Sequence, residues 1–240
     1  MLHRIILASV DSTNKYVEER KGQLSPPTLV IGIQQRHGKG QGTNRWDSKK
    51  GDLTFTLSLG KIDISSFFIL SQIVSLEIVS FLLEYGIQAR IKWPNDILVG
   101  LEKICGILIQ THVENGVFSS ASVGIGLNLT RDTSPAHYNP PATSIENQLG
   151  ASILNPIAAS EVLAKRILAS IENYTSNKAQ QIRAAYWEYL FRNQGMHPFI
   201  IHEKKQFARI LSVCNNGQLH LQDEHGKEYQ CSFKELKFVF

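Results

Sequence analysis

The sequence predicts an α+β fold, a mixed β-sheet with helices, followed by a small antiparallel β-barrel. One observation predicts the mixed sheet, one a buried helix and one the barrel. Extended apolar runs and helical patterns follow one another without the regular alternation of a doubly wound sheet. The longest apolar-rich segment, Phe67 to Leu83, is broken by Ser71, Gln72, Ser75, Glu77 and Ser80, so it reads as a buried or amphipathic helix rather than a membrane span. Beyond Gly195-Met196-His197-Pro198 only short β-like runs remain, punctuated by Asn215-Asn216-Gly217 and His225-Gly226. The 240 residues, 42% of them hydrophobic, can bury a sizeable core and hold one large and one small domain, 1–194 and 195–240.

Taken in order, a strand is expected at 4–10 and a helix near 12–20, where Asp11 or Ser12 stands as a cap. Strands follow near 28–34 and 53–59, then the long helix near 65–84. Further strands are expected near 89–92, 97–99, 103–111 and 117–129, with Asn115-Gly116 as a hairpin turn. Asp132 to Pro141 reads as a surface loop. Glu161 to Tyr174 places Leu163, Ile167 and Ile171 on one face, and 178–189 completes a helical pair.

A net charge of +4, with Lys and Arg scattered, does not describe a nucleic-acid groove. Met1 leads almost directly into a strand without a signal-peptide pattern, which predicts a cytoplasmic protein. Cys105, Cys214 and Cys231 are odd in number and lack metal-ligand companions, so free thiols are expected.

Four short stretches carry chemistry. In Lys92-Trp93-Pro94-Asn95-Asp96 a cation, an indole, an amide and a carboxylate share one reversal between apolar runs, and proline ends the strand. Lys103 opens the next apolar strand, where its ammonium needs either an anion or water. The run from Gln35 to Trp46 holds Gly38, Gly40 and Gly42 at alternate positions among Arg36, Lys39 and Arg45. It suits an anion through close backbone approach and positive charge, or is simply a solvated loop. No Gly-Lys-Ser/Thr closes it and a strand follows, so it is neither a Walker loop nor a dinucleotide fingerprint. Asp11-Ser12-Thr13-Asn14 either caps a helix or grips a polar ligand head. Gly124 and Gly126, within an apolar run ending at Asn128, mark a bulge or the close approach of a ligand.

In order and spacing these stretches, with Lys103-x-x-Gly106 and Ala142-Thr143-Ser144-Ile145, resemble biotin protein ligases over about residues 4 to 150. The resemblance implies a class II synthetase-like catalytic domain with an SH3-like barrel. It implies that biotin and ATP, with Mg²⁺, give biotinyl-5′-adenylate, and that a lysine of a biotin carboxyl carrier domain then takes the biotinyl group. Lys103 and Asp96 are the catalytic candidates: Lys103 would span the biotin carboxylate and α-phosphate, and Asp96 would face the acceptor amine. Biotin binding falls to Ser12, Thr13, Asn14, Gln35, Gly38, Lys39, Trp93, Lys103, Gly124 and Gly126. Adenylate binding falls to Lys39, Gly40, Gln41, Asn44, Trp46, Asn95, Lys103 and Asn128. No carboxylate cluster names Mg²⁺ ligands, and relatives include monomers and dimers. The chain departs from the family at Lys39, where Gly-Arg-Gly is usual, and at Gln41, where many members carry arginine.

Three other readings compete with this one. A lipoate or octanoate ligase, with a flexible apolar substrate, does not need Ser12, Thr13 and Gln35. A biotin-sensing regulator needs a DNA-reading module, for which the early first strand leaves no room. A non-catalytic biotin-binding protein does not need Lys103 together with the glycine loop.

Overall fold

Strand β1 (His3–Leu7) runs through α1 (Thr13–Glu19) into β2 (Thr28–Gly32), and the two strands pair in parallel. A short hairpin, β3 (Gly38–Lys39) and β4 (Arg45–Trp46), stands apart as its own two-stranded sheet. Then follow β5 (Leu53–Leu59), α2 (Phe67–Leu83), β6 (Ala89–Lys92), β7 (Asp96–Val99), β8 (Glu102–Glu114) and β9 (Val117–Leu127). These complete a mixed seven-stranded sheet of order β1-β2-β5-β9-β8-β7-β6, antiparallel from β2 onward. The computed structural model describes residues 1–64, 66–115, 117–130, 139–151 and 153–240. Gly116 of the expected hairpin turn, and residues 132–138 of the expected Asp132-to-Pro141 loop, lie outside the described residues.

The two faces of this sheet differ, and the sequence of β5 shows why. Leu53, Phe55, Leu57 and Leu59 alternate with Thr54, Thr56 and Ser58, and all seven are buried. The apolar set belongs to the core beneath α2, α4 (Pro156–Glu172) and α5 (Ala179–Tyr189). The hydroxyl set shares its face with Gly124 and Gly126 of β9, in register as Thr56↔Gly124 and Thr54↔Gly126. That polar, glycine-bearing face carries the cavity described below.

Helix α2 is buried on most of its circumference, and the Ser66 hydroxyl caps it by accepting from Ile69 N at 3.3 Å. Between β9 and α4 lies the short α3 (Ile145–Leu149), capped by Ser144. Helix α4 begins at Pro156, earlier than the expected 161, because Asn155 Oδ1 accepts from Ile157 N and Ala158 N, both at 3.0 Å.

The carboxyl-terminal strands β10 (His197–Ile201), β11 (Lys204–Val213), β12 (Leu219–Asp223), β13 (Glu228–Cys231) and β14 (Leu236–Phe238) form one antiparallel sheet of order β13-β12-β11-β10-β14. The expected barrel is therefore present as a five-stranded sheet, with no pairing between its end strands β13 and β14 among the described residues to close it. A bulge between Ile210 and Ser212 bends β11. Trp93 Nε1 donates to Gly217 O at 2.8 Å and ties this sheet to the larger one.

Candidate functional site

A cavity of about 360 Å³ opens over the polar face of the large sheet. Its floor is a pair of glycines, Gly106 of β8 and Gly126 of β9, which are register partners. The indole of Trp46, delivered by the β3–β4 hairpin, lies on them. A Cβ built on Gly126 would stand 2.2 Å from Trp46 Cε2, and one on Gly106 would stand 2.8 Å from Cζ3. These glycines serve close approach rather than a bulge. Trp46 Nε1 is buried and finds no hydrogen-bond partner among the described residues.

The glycines of the hairpin divide the same way. Gly42 alone among them has positive φ, at 66°, where the chain reverses. Gly38 is needed for space, since a Cβ there would meet Trp46 O at 2.3 Å and Gln35 Nε2 at 2.6 Å. Lys39 and Arg45 are register partners across the hairpin and both line the cavity. Two cations facing one another on a two-residue ladder repel, and an anion between them would relieve that.

One wall is built from amides and hydroxyls. Gln35 Oε1 accepts from Thr13 N at 2.9 Å and from Thr13 Oγ1 at 3.2 Å. Thr56 Oγ1 stands 2.9 Å from both Thr13 Oγ1 and Asn14 Oδ1. The Asn14 amide lies over Gly124, whose absent side chain makes room for it.

The opposite wall carries the charges. Asp96 at the start of β7 bonds Lys103 Nζ through Oδ1 at 2.5 Å and Lys92 Nζ through Oδ2 at 2.8 Å. The Asp96 side chain is 10% exposed, so both lysines satisfy a carboxylate with little water. Burial pushes its pKa up, but Lys103 and Lys92 outweigh that and hold it below the usual carboxylate range. The same register places Lys103 Nζ 5.3 Å from the Trp46 ring centroid. Lys103 is further fixed by its backbone, its N–H donating to Pro141 O at 2.7 Å and its carbonyl accepting from Thr143 N at 2.9 Å. Next to it, burial raises the Cys105 thiol far above its ordinary range, which makes it inert core.

The carboxyl-terminal sheet closes one side with Phe233, Leu236, Lys237, Phe238 and Phe240. Arg192 holds that tail in place. Its guanidinium donates to Pro198 O at 3.1 Å and Val239 O at 2.7 Å, with the rings of Phe191, Phe199, Phe238 and Phe240 within 5.9 Å. A second cavity of about 210 Å³ adjoins the first, and Gln41, Trp93 and Asn95 line both.

The structure brings most of the expected residues to this cavity. Thr13, Asn14, Gln35, Trp93, Gly124 and Gly126 line it, as do Lys39, Gly40, Gln41, Asn44, Trp46 and Asn95, with Asp96 and Lys103. Three sit behind the lining. Ser12 Oγ caps α1, accepting from Lys15 N at 3.4 Å. Gly38 is buried under Gln35. The Asn128 amide donates to Thr143 O at 2.9 Å and so braces the segment that pairs with Lys103. The sequence reading missed Thr56, hidden in an alternating strand; the family resemblance implies that the carboxyl-terminal barrel helps complete the site, but the sequence does not name the residues there that line the cavity. Among the described residues no cluster of His, Cys, Asp or Glu could hold a metal ion, and no helix is long and apolar enough to cross a membrane.

Residues 6–128 match the family model described as the biotin/lipoate A/B protein ligase family. The chain is 31% identical over 159 residues to the bifunctional ligase/repressor BirA of Bacillus spizizenii, a match covering 63% of this chain and 48% of that protein. It is 30% identical over 158 residues to a biotin–[acetyl-CoA-carboxylase] ligase of Paracoccus denitrificans, covering 62% of this chain and 65% of the relative. Against the first of these the chain thus spans about half the relative's length. Its fold is that of a solved biotin protein ligase from Aquifex aeolicus in complex with biotin and ATP, with a TM-score of 0.82 over 99% of both chains at 21% identity.

Proposed function

The chain belongs to the biotin/lipoate A/B protein ligase family, and on that premise we propose that it is an ATP-dependent biotin protein ligase. It would join biotin to the lysine of a biotin carboxyl carrier domain through biotinyl-5′-adenylate. The observation that carries this reading is one cavity with a charged wall of Lys92, Asp96 and Lys103 facing a polar wall of Thr13, Asn14 and Gln35. The first can handle a carboxylate and a phosphate; the second can hold a polar ring.

In the first step a biotin carboxylate oxygen attacks the α-phosphorus of ATP. The bond to the bridging oxygen breaks and pyrophosphate leaves. Negative charge gathers where carboxylate and phosphate meet, and Lys103 is placed to stabilise it by exchanging Asp96 for the ligand's oxygens. Lys39, Arg45 and the Gly40–Asn44 turn would cover the phosphate, with Gln41 at the junction of the two cavities. Trp93 and Asn95 shape the wall. Asn95 Nδ2 is itself bound to Ile107 O at 2.8 Å and keeps the β7–β8 crossing in place.

In the second step the acceptor amine attacks the acyl carbon, AMP leaves, and the amine gives up a proton. Asp96 would orient the incoming amine and take up that proton. While Lys103 is on it, the carboxylate is a weak base; once Lys103 has moved to the adenylate, only Lys92 remains and Asp96 becomes more basic. The division of the chain at 194/195 fits this scheme, the terminal sheet closing the nucleotide side.

Mg²⁺ would come with ATP, offsetting the phosphate charge while keeping most of its water. The described residues do not build a site for it, since the charged wall's carboxylate, Asp96, has both oxygens on lysines. Lipoate is the rival substrate in this family, and its dithiolane ring offers nothing to the polar wall. Incubation with labelled ATP and either biotin or lipoate decides between them. Pyrophosphate release with biotin, and transfer of the biotinyl group to a carrier domain, is the expected result; release with lipoate alone would overturn it.

A further inference from the structure

Thr56 is the hub of the polar wall. It is fully buried in β5, opposite Gly124, and its hydroxyl lies 2.9 Å from both Thr13 Oγ1 and Asn14 Oδ1. An asparagine amide can present either its oxygen or its NH₂ to a ligand, and which one it presents is fixed by what binds the other end. Here Thr56 engages the Asn14 oxygen from inside, while Thr13 N and Oγ1 engage the Gln35 oxygen. Neither amide nitrogen finds a hydrogen-bond acceptor among the described residues, and both side chains line the cavity. The wall therefore shows NH₂ groups to whatever binds there.

We infer that Thr56 is a specificity-setting positioning residue, which locks the Asn14 amide so that Asn14 and Gln35 together donate to a carbonyl oxygen of the substrate's head group. This deepens the biotin reading and rests on it, the ureido carbonyl being the acceptor. Thr56 reaches no ligand itself. A hydroxyl there is required, because valine has the same shape but lets the amide turn and present its oxygen, repelling the carbonyl.

The test is equilibrium binding of biotin, by calorimetry, beside steady-state pyrophosphate release. Thr56→Val is expected to weaken binding and raise KM about tenfold, the weight of roughly one lost hydrogen bond, with kcat changed less than about twofold. Thr56→Ser is expected to restore both, and the preference for biotin over lipoate should narrow only in the valine variant. If the valine variant does not fold, Asn14→Asp replaces it, since a carboxylate still accepts from Thr56 but has no N–H to offer. Unchanged biotin affinity in the folded variant would overturn the role of Thr56 alone. A wild-type protein that binds no biotin would overturn the substrate reading together with it.

Discussion

Lys103 and Asp96 meet as an ion pair, Nζ to Oδ1 at 2.5 Å, inside the cavity that both line. Without ligand, the ammonium proposed to act on the substrate is thus already balanced, by a carboxylate that Lys92 also holds. Lys103 contributes to binding only the difference between two anionic partners, but it contributes fully to charge that appears during attack. Lys103→Ala is therefore expected to slow adenylate formation by about 10²–10³-fold while biotin affinity changes little. Single-turnover pyrophosphate release beside calorimetric binding measures both. Equal losses in the two would remove the proposed role.

Acid should dissolve the same cluster. The Asp96 carboxyl is held below its ordinary value in the folded chain, so its ion pairs stabilise fully above the unfolded pKa of about 3.9. That contribution is lost as pH falls through the depressed folded pKa, where Asp96 takes up a proton. Asp96→Asn lacks the carboxylate at every pH and strands two ammonium groups. The difference in urea midpoint between wild type and Asp96→Asn should be large near about pH 7 and shrink on strong acidification. A difference that stays constant down to about pH 2 would show that the ion pairs are not its source.

The charged wall was legible in the sequence because its residues are close together in it. Lys92, Trp93, Asn95 and Asp96 share one turn, and Lys103 returns on the next strand. Gly106 and Gly126 were visible as breaks in apolar runs, but only the register that pairs them, and the Trp46 ring on top, distinguishes a floor from a bulge. Thr56 could not be seen. A threonine alternating with Leu and Phe reads as the wet side of a strand, and here the wet side is buried under α1. Phe233, Lys237 and Phe240 reach the cavity through packing between two sheets, which no local pattern encodes. At Ser12 the plain reading is visible in the backbone, its hydroxyl capping α1.

The glycine floor makes a steric prediction. Gly126 has an ordinary φ, so alanine is tolerated by the backbone and the conflict is entirely with Trp46 Cε2, 2.2 Å from the new Cβ. Gly126→Ala should cost about 1–3 kcal/mol of stability through overpacking or expulsion of the indole. Trp46 fluorescence should shift to the red, and adenylate formation should fall with it. Gly106→Ala, with 2.8 Å to the ring edge, should do the same more weakly. Unchanged fluorescence in Gly126→Ala would mean the indole does not rest there in solution.

The last prediction concerns retention of the adenylate. Gln41 stands where many relatives carry arginine, and Lys39 replaces a planar fork with a point charge. Of the two neighbouring arginines, Arg36 is turned away, its Nε bound to Ser9 Oγ at 3.0 Å. Arg45 lines the cavity and faces Lys39 across the hairpin. The phosphate is therefore expected to rest on Lys39 and Arg45, with a neutral amide at the junction of the two cavities where a third cation would sit. A charged hydrogen bond missing there is worth about 1–3 kcal/mol, so Gln41→Arg should slow release of biotinyl-adenylate by about tenfold or more. Lys39→Arg should slow it less, since it changes the shape of a charge already present. Stray labelling of bystander lysines should fall in parallel with the off-rate. If Gln41→Arg leaves release unchanged, Lys39 and Arg45 already saturate the phosphate, and a variant lacking Arg45 should then leak instead.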